Sequence, residues 1–331
     1  MTSVWALYDE RVGIANQVIG LTEAVGLPFI EKRCSLRFPW SRLPPSWWAG
    51  QVANVLTPGS AALSPPWPDL IVTCGRQGAL MALAVKRASG GRSFVVQIQD
   101  PRLPRRCFDL MVVPEHDPAR GDNVVVTKGA VHRVTREKLE AALARFGDRF
   151  ASLPRPLVAV MIGGRNKAYE FGLSDLGVLA DQLAGLAAAT GGGLLVTPSR
   201  RTGPEGEALL RERLAGVPAY IWDGSGENPY FAFLALADAI VVTEDSVSMV
   251  SEAASTGKPV HIVGLTGKPV HVVGLKGGSR KFGAFHQSLR EAGVTRPFTG
   301  KLESWSYEPL DDTARAALEI RRRFGEAGKT S

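Results

Sequence analysis

LVAVMIGGRNK (157–167) decides how this chain is read. Leu157–Ile162 is an apolar run too short for a core helix and the right length for a strand buried on both faces. It stops at Gly163-Gly164, with Arg165, Asn166 and Lys167 directly after. From Ser174, a residue type suited to cap a helix, apolar positions recur at helical spacing to about Thr190. Gly193–Val196 is then a second strand, ending in Thr197-Pro198-Ser199-Arg200-Arg201-Thr202. Strand, loop, helix, strand is the unit of a parallel sheet covered by helices.

The alternation continues outward in both directions. Toward the C-terminus come a helix Glu205–Leu214, a strand Ala219–Trp222, a loop Asp223–Pro229, a short helix Tyr230–Ala237, a strand Ala239–Val242 and a helix Ser246–Ser255. Toward the N-terminus, Val4–Tyr8, Leu70–Cys74, Ser93–Gln99, Leu110–Val113 and Asn123–Thr127 read as strands. Gln17–Val25, Ala79–Arg87 and Thr135–Phe150 read as helices, with Asp9–Asn16 and Gly75–Gly78 as loops between. Leu36–Pro68, with Trp40, Trp47, Trp48 and Trp67, reads as an irregular surface segment, and Pro154 and Pro156 mark a linker. The fold class expected is α/β: two Rossmann-like parallel-sheet domains, 1–152 and 153–331, facing across a cleft. Thr256–Leu265 (TGKPVHIVGL) and Thr266–Leu275 (TGKPVHVVGL) form a short tandem duplication, of which one copy fits the strand expected after the 246–255 helix.

Composition narrows the classes. The chain has 331 residues, 45% of them hydrophobic and 21% charged, which suits full globular cores. Its net charge of +7 is uneven: residues 1–150 hold 19 Lys and Arg against 13 Asp and Glu. A basic face for acidic lipid or a phosphorylated substrate is one reading, and an ordinary solvated surface is the other. Cys34, Cys74 and Cys107 fit neither a disulfide framework nor a metal pattern. The first residues lack the charged and apolar regions of a signal peptide, and no apolar stretch approaches the ~20 residues that span a bilayer. A cytoplasmic protein with at most peripheral membrane contact is expected. Nucleic-acid binding would require aromatic residues interleaved with basic ones, which the Trp-rich segment does not show. A dinucleotide-binding oxidoreductase would require G-x-G-x-x-G after the first strand, where only Gly13 stands.

In an open parallel sheet, ligands sit beyond the carboxyl ends of the strands. In the second half those positions carry Gly163, Gly164, Arg165 and Asn166, then Ser199, Arg200 and Arg201, then Asp223–Asn228, then Asp245, Ser246 and Ser248, and finally Ser279, Arg280 and Lys281. Gly-rich turns and helix starts offer N–H groups to anions, and Arg and Lys add charge-assisted hydrogen bonds. A diphosphate site is the reading. Glu252, further along the 246–255 helix, is either a solvent-facing carboxylate or an acceptor for ribose hydroxyls.

Thr243–Val260 (TEDSVSMVSEAASTGKPV) is similar to the Ser-rich, Glu-containing, Gly-Pro-terminated segment of glycosyltransferase-B enzymes such as the lipid-linked peptidoglycan N-acetylglucosaminyltransferase. More closely, the chain resembles the mitochondrial-fission "elongated mitochondria" family and its bacterial relatives. The resemblance is carried by DERVGIANQ (9–17), CGRQ (74–77), QIQDPRLP (97–104), PEHD (114–117), IGGRNKAY (162–169), TPSRRT (197–202), DGSGENPYF (223–231), Thr243–Val250 and GGSRKF (277–282). It implies a glycosyltransferase-B-like architecture, and the likeness of 243–260 to glycosyltransferase-B enzymes implies diphosphate held by the 243–250 loop and ribose held by Glu252. It further implies a nucleotide sugar, such as a UDP-sugar, as ligand with no other cofactor, and a peripheral or lipid-linked acceptor; the His residues show no metal-ligand spacing, so no metal is expected. The plant members imply a different role, an adaptor for a dynamin-related partner in organelle fission.

In the first half, Asp9, Asn16, Gln17, Arg76, Gln77, Gln99, Asp100, Arg102, Glu115, His116 and Asp117 follow strands and would line the acceptor side. Transfer to a hydroxyl requires a general base, for which Asp9, Asp100 and His116 are the candidates. A structural role for the loop residue His116 is the competing reading.

Overall fold

The computed structural model describes residues 2–43, 47, 54–166, 168–258, 260–263 and 278–328. The chain divides into two units, Met1–Arg133 with Asp311–Ser331, and Val134–Leu310.

Unit 1 holds strands β1 (Val4–Tyr8), β2 (Phe29–Arg33), β3 (Leu70–Cys74), β4 (Phe94–Ile98), β5 (Leu110–Pro114) and β6 (Val124–Thr127), with helices α1 (Val12–Val25) and α2 (Gly75–Ala88). They form a parallel sheet in the order β2-β1-β3-β4-β5-β6. Alternate residues of each strand enter different cores. Trp5, Leu7, Ile71, Val95 and Met111 pack with Leu80 and Met81 of α2, while Val4, Ala6, Val72, Val96 and Leu110 pack with Val18 and Leu21 of α1. Burial on both faces is why these strands read as unbroken apolar runs.

Two loops of the sequence reading are helix. Val12–Asn16 is the start of α1, because Asp9 accepts the Arg11 N–H (3.0 Å) and turns the chain directly into the helix. Gly75–Gly78 is the first turn of α2. Gly75 turns the chain at φ +69°, and a Cβ on Gly78 would stand 2.2 Å from Thr73 Oγ1, so α2 lies tight on β3. Strand β2 was not read. It is an edge strand whose residues are part-exposed or exposed, so no apolar run announces it.

Unit 2 opens with α3 (Arg136–Phe146), capped by Thr135, whose hydroxyl accepts from the Lys138 amide. There follow β7 (Leu157–Ile162), α4 (Leu173–Thr190), β8 (Gly193–Pro198), α5 (Gly203–Arg213), β9 (Ala219–Ile221), α6 (Tyr230–Leu236), β10 (Ala239–Thr243), α7 (Val247–Ala254), β11 (Val260–Val263), α8 (Gly278–Glu291) and β12 (Thr295–Pro297). Their parallel order is β9-β8-β7-β10-β11-β12. The chain builds outward from β7 to β9, returns to the far side of β7, and builds outward again. The topological switch therefore lies between β7 and β10. Helix α4 starts one residue before Ser174: Gly172 is its cap, with the Asp175 carboxylate accepting the Gly172 N–H at 3.0 Å. The first copy of the tandem duplication supplies β11, and the second, 266–275, lies outside the described residues.

The units part ahead of α3 rather than at Pro154–Pro156, because Leu139, Ala142 and Phe146 of α3 join the core under α6. The final helix, α9 (Asp312–Ala327), which the sequence reading did not anticipate, belongs to unit 1. Its Ala316, Ala317 and Ile320 enter the α1 core. Its buried Asp312 accepts the amides of Lys128 (3.1 Å) and Gly129 (2.8 Å). Among the described residues no helix is long and apolar enough to cross a membrane.

Replacing Asp312 with Ala leaves two backbone donors without their acceptor. Asp312→Ala is expected to destabilise unit 1 by about 2–3 kcal/mol, read as a lower urea midpoint. An unchanged midpoint would show that α9 is held by its apolar face alone.

Candidate functional site

The loops at the unit 2 switch point are bound to one another. Asp245, two residues past β10, has a side chain with no solvent exposure. Its Oδ2 accepts the Gly164 amide (3.1 Å) and pairs with Arg201 Nη1 (2.6 Å). Arg201 also donates to the Gly164 carbonyl (2.5 Å). Thr243 Oγ1 accepts the Gly163 amide (2.8 Å). Ser199 and Thr202 hydroxyls both donate to the Gly163 carbonyl, at 2.8 and 2.7 Å. Asn166 Nδ2 donates to the Asp245 carbonyl (3.0 Å), and its Oδ1 accepts the amides of Ala168 and Tyr169. The ends of β7, β8 and β10 thus form one hydrogen-bonded platform.

Gly163 and Gly164 are required there by space. A Cβ on Gly163 would lie 2.1 Å from Asp245 Oδ2, and one on Gly164 would lie 2.5 Å from the Arg201 backbone. Their amides serve Thr243 and Asp245, so in this arrangement they are structural donors.

Helix α7 opens beside this platform. Ser246 caps it, its hydroxyl accepting the Met249 amide (3.4 Å), and Ser248 is part-exposed in the first turn. Glu252, 5% exposed, faces inward: its Oε2 accepts from the Tyr230 hydroxyl at 2.5 Å. Burial pushes the Glu252 carboxyl from its ordinary 4.5 up to about 7, against the smaller opposing effect of the Tyr230 hydrogen bond. The Tyr230 phenol is pushed well above its usual range by burial and by Glu252. Asn228 prepares the start of α6, its Oδ1 accepting the Tyr230 amide (3.0 Å). From α8, buried His286 donates through Nε2 to the Glu244 carbonyl (2.7 Å).

Among the residues expected to bind ligand, Arg165 and Arg200 are exposed and make no ion pair among the described residues. A hollow of about 480 Å³ opens beside Gly164, Arg165, Arg201 and Gly203. Arg280 and Lys281 lie in the first turn of α8, exposed and part-exposed, and the Ser279 side chain and Lys167 lie outside the described residues. In sequence, no site role attaches to Thr202, Tyr230 or His286. The first two stand within quoted motifs; His286 stands on a helix that the apolar pattern does not announce.

In unit 1, Asp9 is 4% exposed and accepts two guanidinium bonds from Arg11, at 3.0 Å from Nε and 2.5 Å from Nη2. Asp100 Oδ1 accepts the Arg102 amide (2.8 Å), and the Asp100 amide donates to buried Asp117 (3.0 Å). Gln99 and Arg102 hold positive φ, +64° and +57°, a strained backbone for side-chain-bearing residues. Gln99 Nε2 donates to Gln17 Oε1 (3.2 Å). His116 is part-exposed in the turn after β5. Among the described residues no three His, Cys, Asp or Glu side chains converge as a metal site.

A family model described as Mitochondrial fission ELM1 matches residues 12–324. The chain belongs to the mitochondrial fission ELM1 family. Within it, the mitochondrial fission protein ELM1 of Arabidopsis thaliana is 38% identical over 289 residues, covering 79% of this chain and 65% of that protein. This ELM1-family chain therefore spans under two thirds of the plant relative. An uncharacterised protein of Rickettsia prowazekii is 27% identical, with 96% of this chain and 98% of the relative covered. Among solved structures, UDP-GlcNAc 2-epimerase from Neisseria meningitidis, bound to UDP-GlcNAc, aligns with TM-score 0.54 at 14% identity over 98% of this chain and 100% of that one. Os79 from O. sativa, solved with UDP and deoxynivalenol-3-glucoside, aligns with TM-score 0.52 at 12% identity over 99% and 94%. At these identities the likeness is one of fold, and the fold of this chain is glycosyltransferase-B-like.

Glu252 makes stability depend on pH with a defined sign. Below 4.5 the carboxyl is protonated folded or unfolded. Between 4.5 and about 7 the unfolded chain releases the proton and the folded one keeps it, so stability falls as pH rises and levels off above 7. The loss expected is on the order of 3 kcal/mol. Urea denaturation at intervals from pH 4 to 8 should show this slope in the wild type and a flatter one in Glu252→Gln. Equal slopes would mean that Glu252 titrates normally.

Proposed function

We propose that this chain binds a nucleotide sugar, a UDP-sugar foremost, at the β7/β10 switch of unit 2, and that it transfers the sugar to a hydroxyl acceptor. The observation that carries this reading is the platform tied by Asp245. It sets uncommitted Arg165 and Arg200 on adjacent strand ends, with the start of α7 alongside and the inward-facing Glu252 on that helix. Guanidinium groups and a helix start suit a diphosphate, and a carboxylate suits ribose hydroxyls. The fold is shared with proteins whose structures hold UDP-GlcNAc and UDP, which supports the choice of nucleotide.

The acceptor and its activation are finer proposals. Asp100 and His116 are the proposed bases, since the Asp9 carboxylate is paired at both oxygens with Arg11. An acceptor presented at an acidic lipid surface fits the excess of Lys and Arg in residues 1–150. That same pairing of Asp9 favours a second reading, a non-catalytic adaptor that recruits a dynamin-like or envelope partner on this scaffold.

Ligand titration decides between them. At 100 times its dissociation constant, UDP is expected to stabilise the folded chain by about 2.7 kcal/mol. Arg165→Ala and Arg200→Ala should each weaken UDP and pyrophosphate about tenfold, a loss near that of one charge-assisted hydrogen bond, while leaving uridine unaffected. If UDP, GDP, ADP and UDP-sugars all leave the melting curve unmoved, the adaptor reading stands.

A further inference from the structure

The motif DGSGENPYF (223–231) is not accounted for by phosphate binding. Asp223 Oδ1 accepts the amide (2.9 Å) and hydroxyl (2.7 Å) of Ser225, which closes the turn. Asn228 Oδ1 accepts the Tyr230 amide, and Pro229 stands as the cap of α6. Both devices fix where α6 begins, and Tyr230 is its first residue. The tyrosine ring packs against the core of unit 2, and its hydroxyl ends 2.5 Å from Glu252 Oε2 and 3.9 Å from Met161 Sδ. Two segments 22 residues apart thus meet at one carboxylate.

We infer that Tyr230 is a positioning residue for nucleoside capture: its phenol anchors one oxygen of the Glu252 carboxylate so that the other is presented to the hydroxyls of a ribose. The inference rests on the nucleotide-sugar reading of this site. Oε1 of Glu252 makes no hydrogen bond among the described residues, whereas Oε2 is held by Tyr230. A carboxylate on a three-torsion side chain loses rotamer entropy when it must be aimed, and an anchor on one oxygen removes that loss in advance. The anchor also selects: an acceptor aimed at a ribose hydroxyl favours a ribonucleotide over its 2′-deoxy form, because the deoxy ligand leaves a buried acceptor unpaired. Tyr230 is the titratable group found facing the Glu252 carboxylate among the described residues, with no Arg or Lys paired to it. The hydrogen bond opposes the effect of burial, so its removal should raise the pH at which Glu252 ionises.

The experiment measures UDP, 2′-deoxy-UDP and pyrophosphate affinities by calorimetry from pH 5.5 to 8.5 in the wild type, Tyr230→Phe and Glu252→Gln. The wild type should prefer UDP to 2′-deoxy-UDP, and its UDP affinity should rise as pH passes neutrality. Tyr230→Phe should lose about tenfold in UDP affinity, lose most of the preference for ribose, and shift the pH midpoint upward, with pyrophosphate unaffected. Because the ligand's own phosphate titration is common to both proteins, the shift reports the protein group. Glu252→Gln should abolish the ribose preference and the protein's share of the pH dependence. Retention of both by a folded Tyr230→Phe overturns the inference while leaving the nucleotide reading intact. A wild type that binds none of the three ligands overturns the nucleotide reading and the inference with it. Should Tyr230→Phe not fold, carboxyl ¹³C NMR of the wild type substitutes: saturation with UDP should lower the Glu252 midpoint, and an unmoved midpoint overturns the inference.

Discussion

The buried carboxylate of Asp245 is what organises the strand ends of unit 2. It stands at the point where the strand order reverses, and it joins the loop after β7 to the one after β8 through the Gly164 amide and Arg201. A charge removed from water in this way must be compensated, and here the compensation comes from parts of the chain that are distant in sequence. Arg201 is 37% exposed, so solvent screens its half of the pair. The firmer part of the constraint is negative: without the carboxylate, the Gly164 N–H has no acceptor and the guanidinium keeps only the Gly164 carbonyl. The glycines follow from this arrangement, since neither position has room for a Cβ.

The sequence disclosed the sheets well because parallel strands buried on both faces are short, unbroken apolar runs. Leu70–Cys74 and Leu157–Ile162 could hardly be read otherwise. It hid β2, whose edge position leaves no such run, and α9, whose attachment depends on Asp312 meeting amides more than 180 residues away in the chain. At the site, position was legible and role was not. Gly163, Gly164, Asn166, Ser199, Arg201 and Asp245 all stand just past strand ends, and Asn228 in the loop before α6, as read. Most of their hydrogen-bonding groups are nonetheless engaged with each other or with adjacent backbone, the buried Oδ1 of Asp245 being an exception. A polar residue after a strand looks the same in sequence whether it contacts a ligand or holds the loop that does.

The switch point of unit 1 repeats the solution in different residues. There the strand order turns between β1 and β3, and Asp9, just past β1, is buried and paired with Arg11. A Cβ on Gly75, the first residue after β3, would lie 3.5 Å from that guanidinium. Each unit thus places a buried Asp, paired with a solvent-exposed Arg, and a glycine where its strand order reverses. Both oxygens of Asp9 are engaged by the Arg11 guanidinium, which moves attention to the strained Gln99–Arg102 turn beyond β4. Backbone held at positive φ without glycine persists where surrounding contacts over-determine it, and here Asp100, Asp117 and Gln17 do so.

Glu252 is treated in the opposite way to Asp245. Both are buried acids on the side of the sheet where ligands gather in this fold. Asp245 has an arginine; Glu252 has a phenol, which donates one hydrogen bond and brings no positive charge. A structural carboxylate gains from a counter-ion, and a core position without one is better filled by an apolar residue. A buried acid kept without a counter-ion, with one oxygen anchored and its ionisation pushed to about 7, destabilises the fold at neutral pH. That burden is understandable where a ligand supplies the missing hydrogen-bond donors, and it marks Glu252 as a residue whose surroundings depart from what folding alone requires.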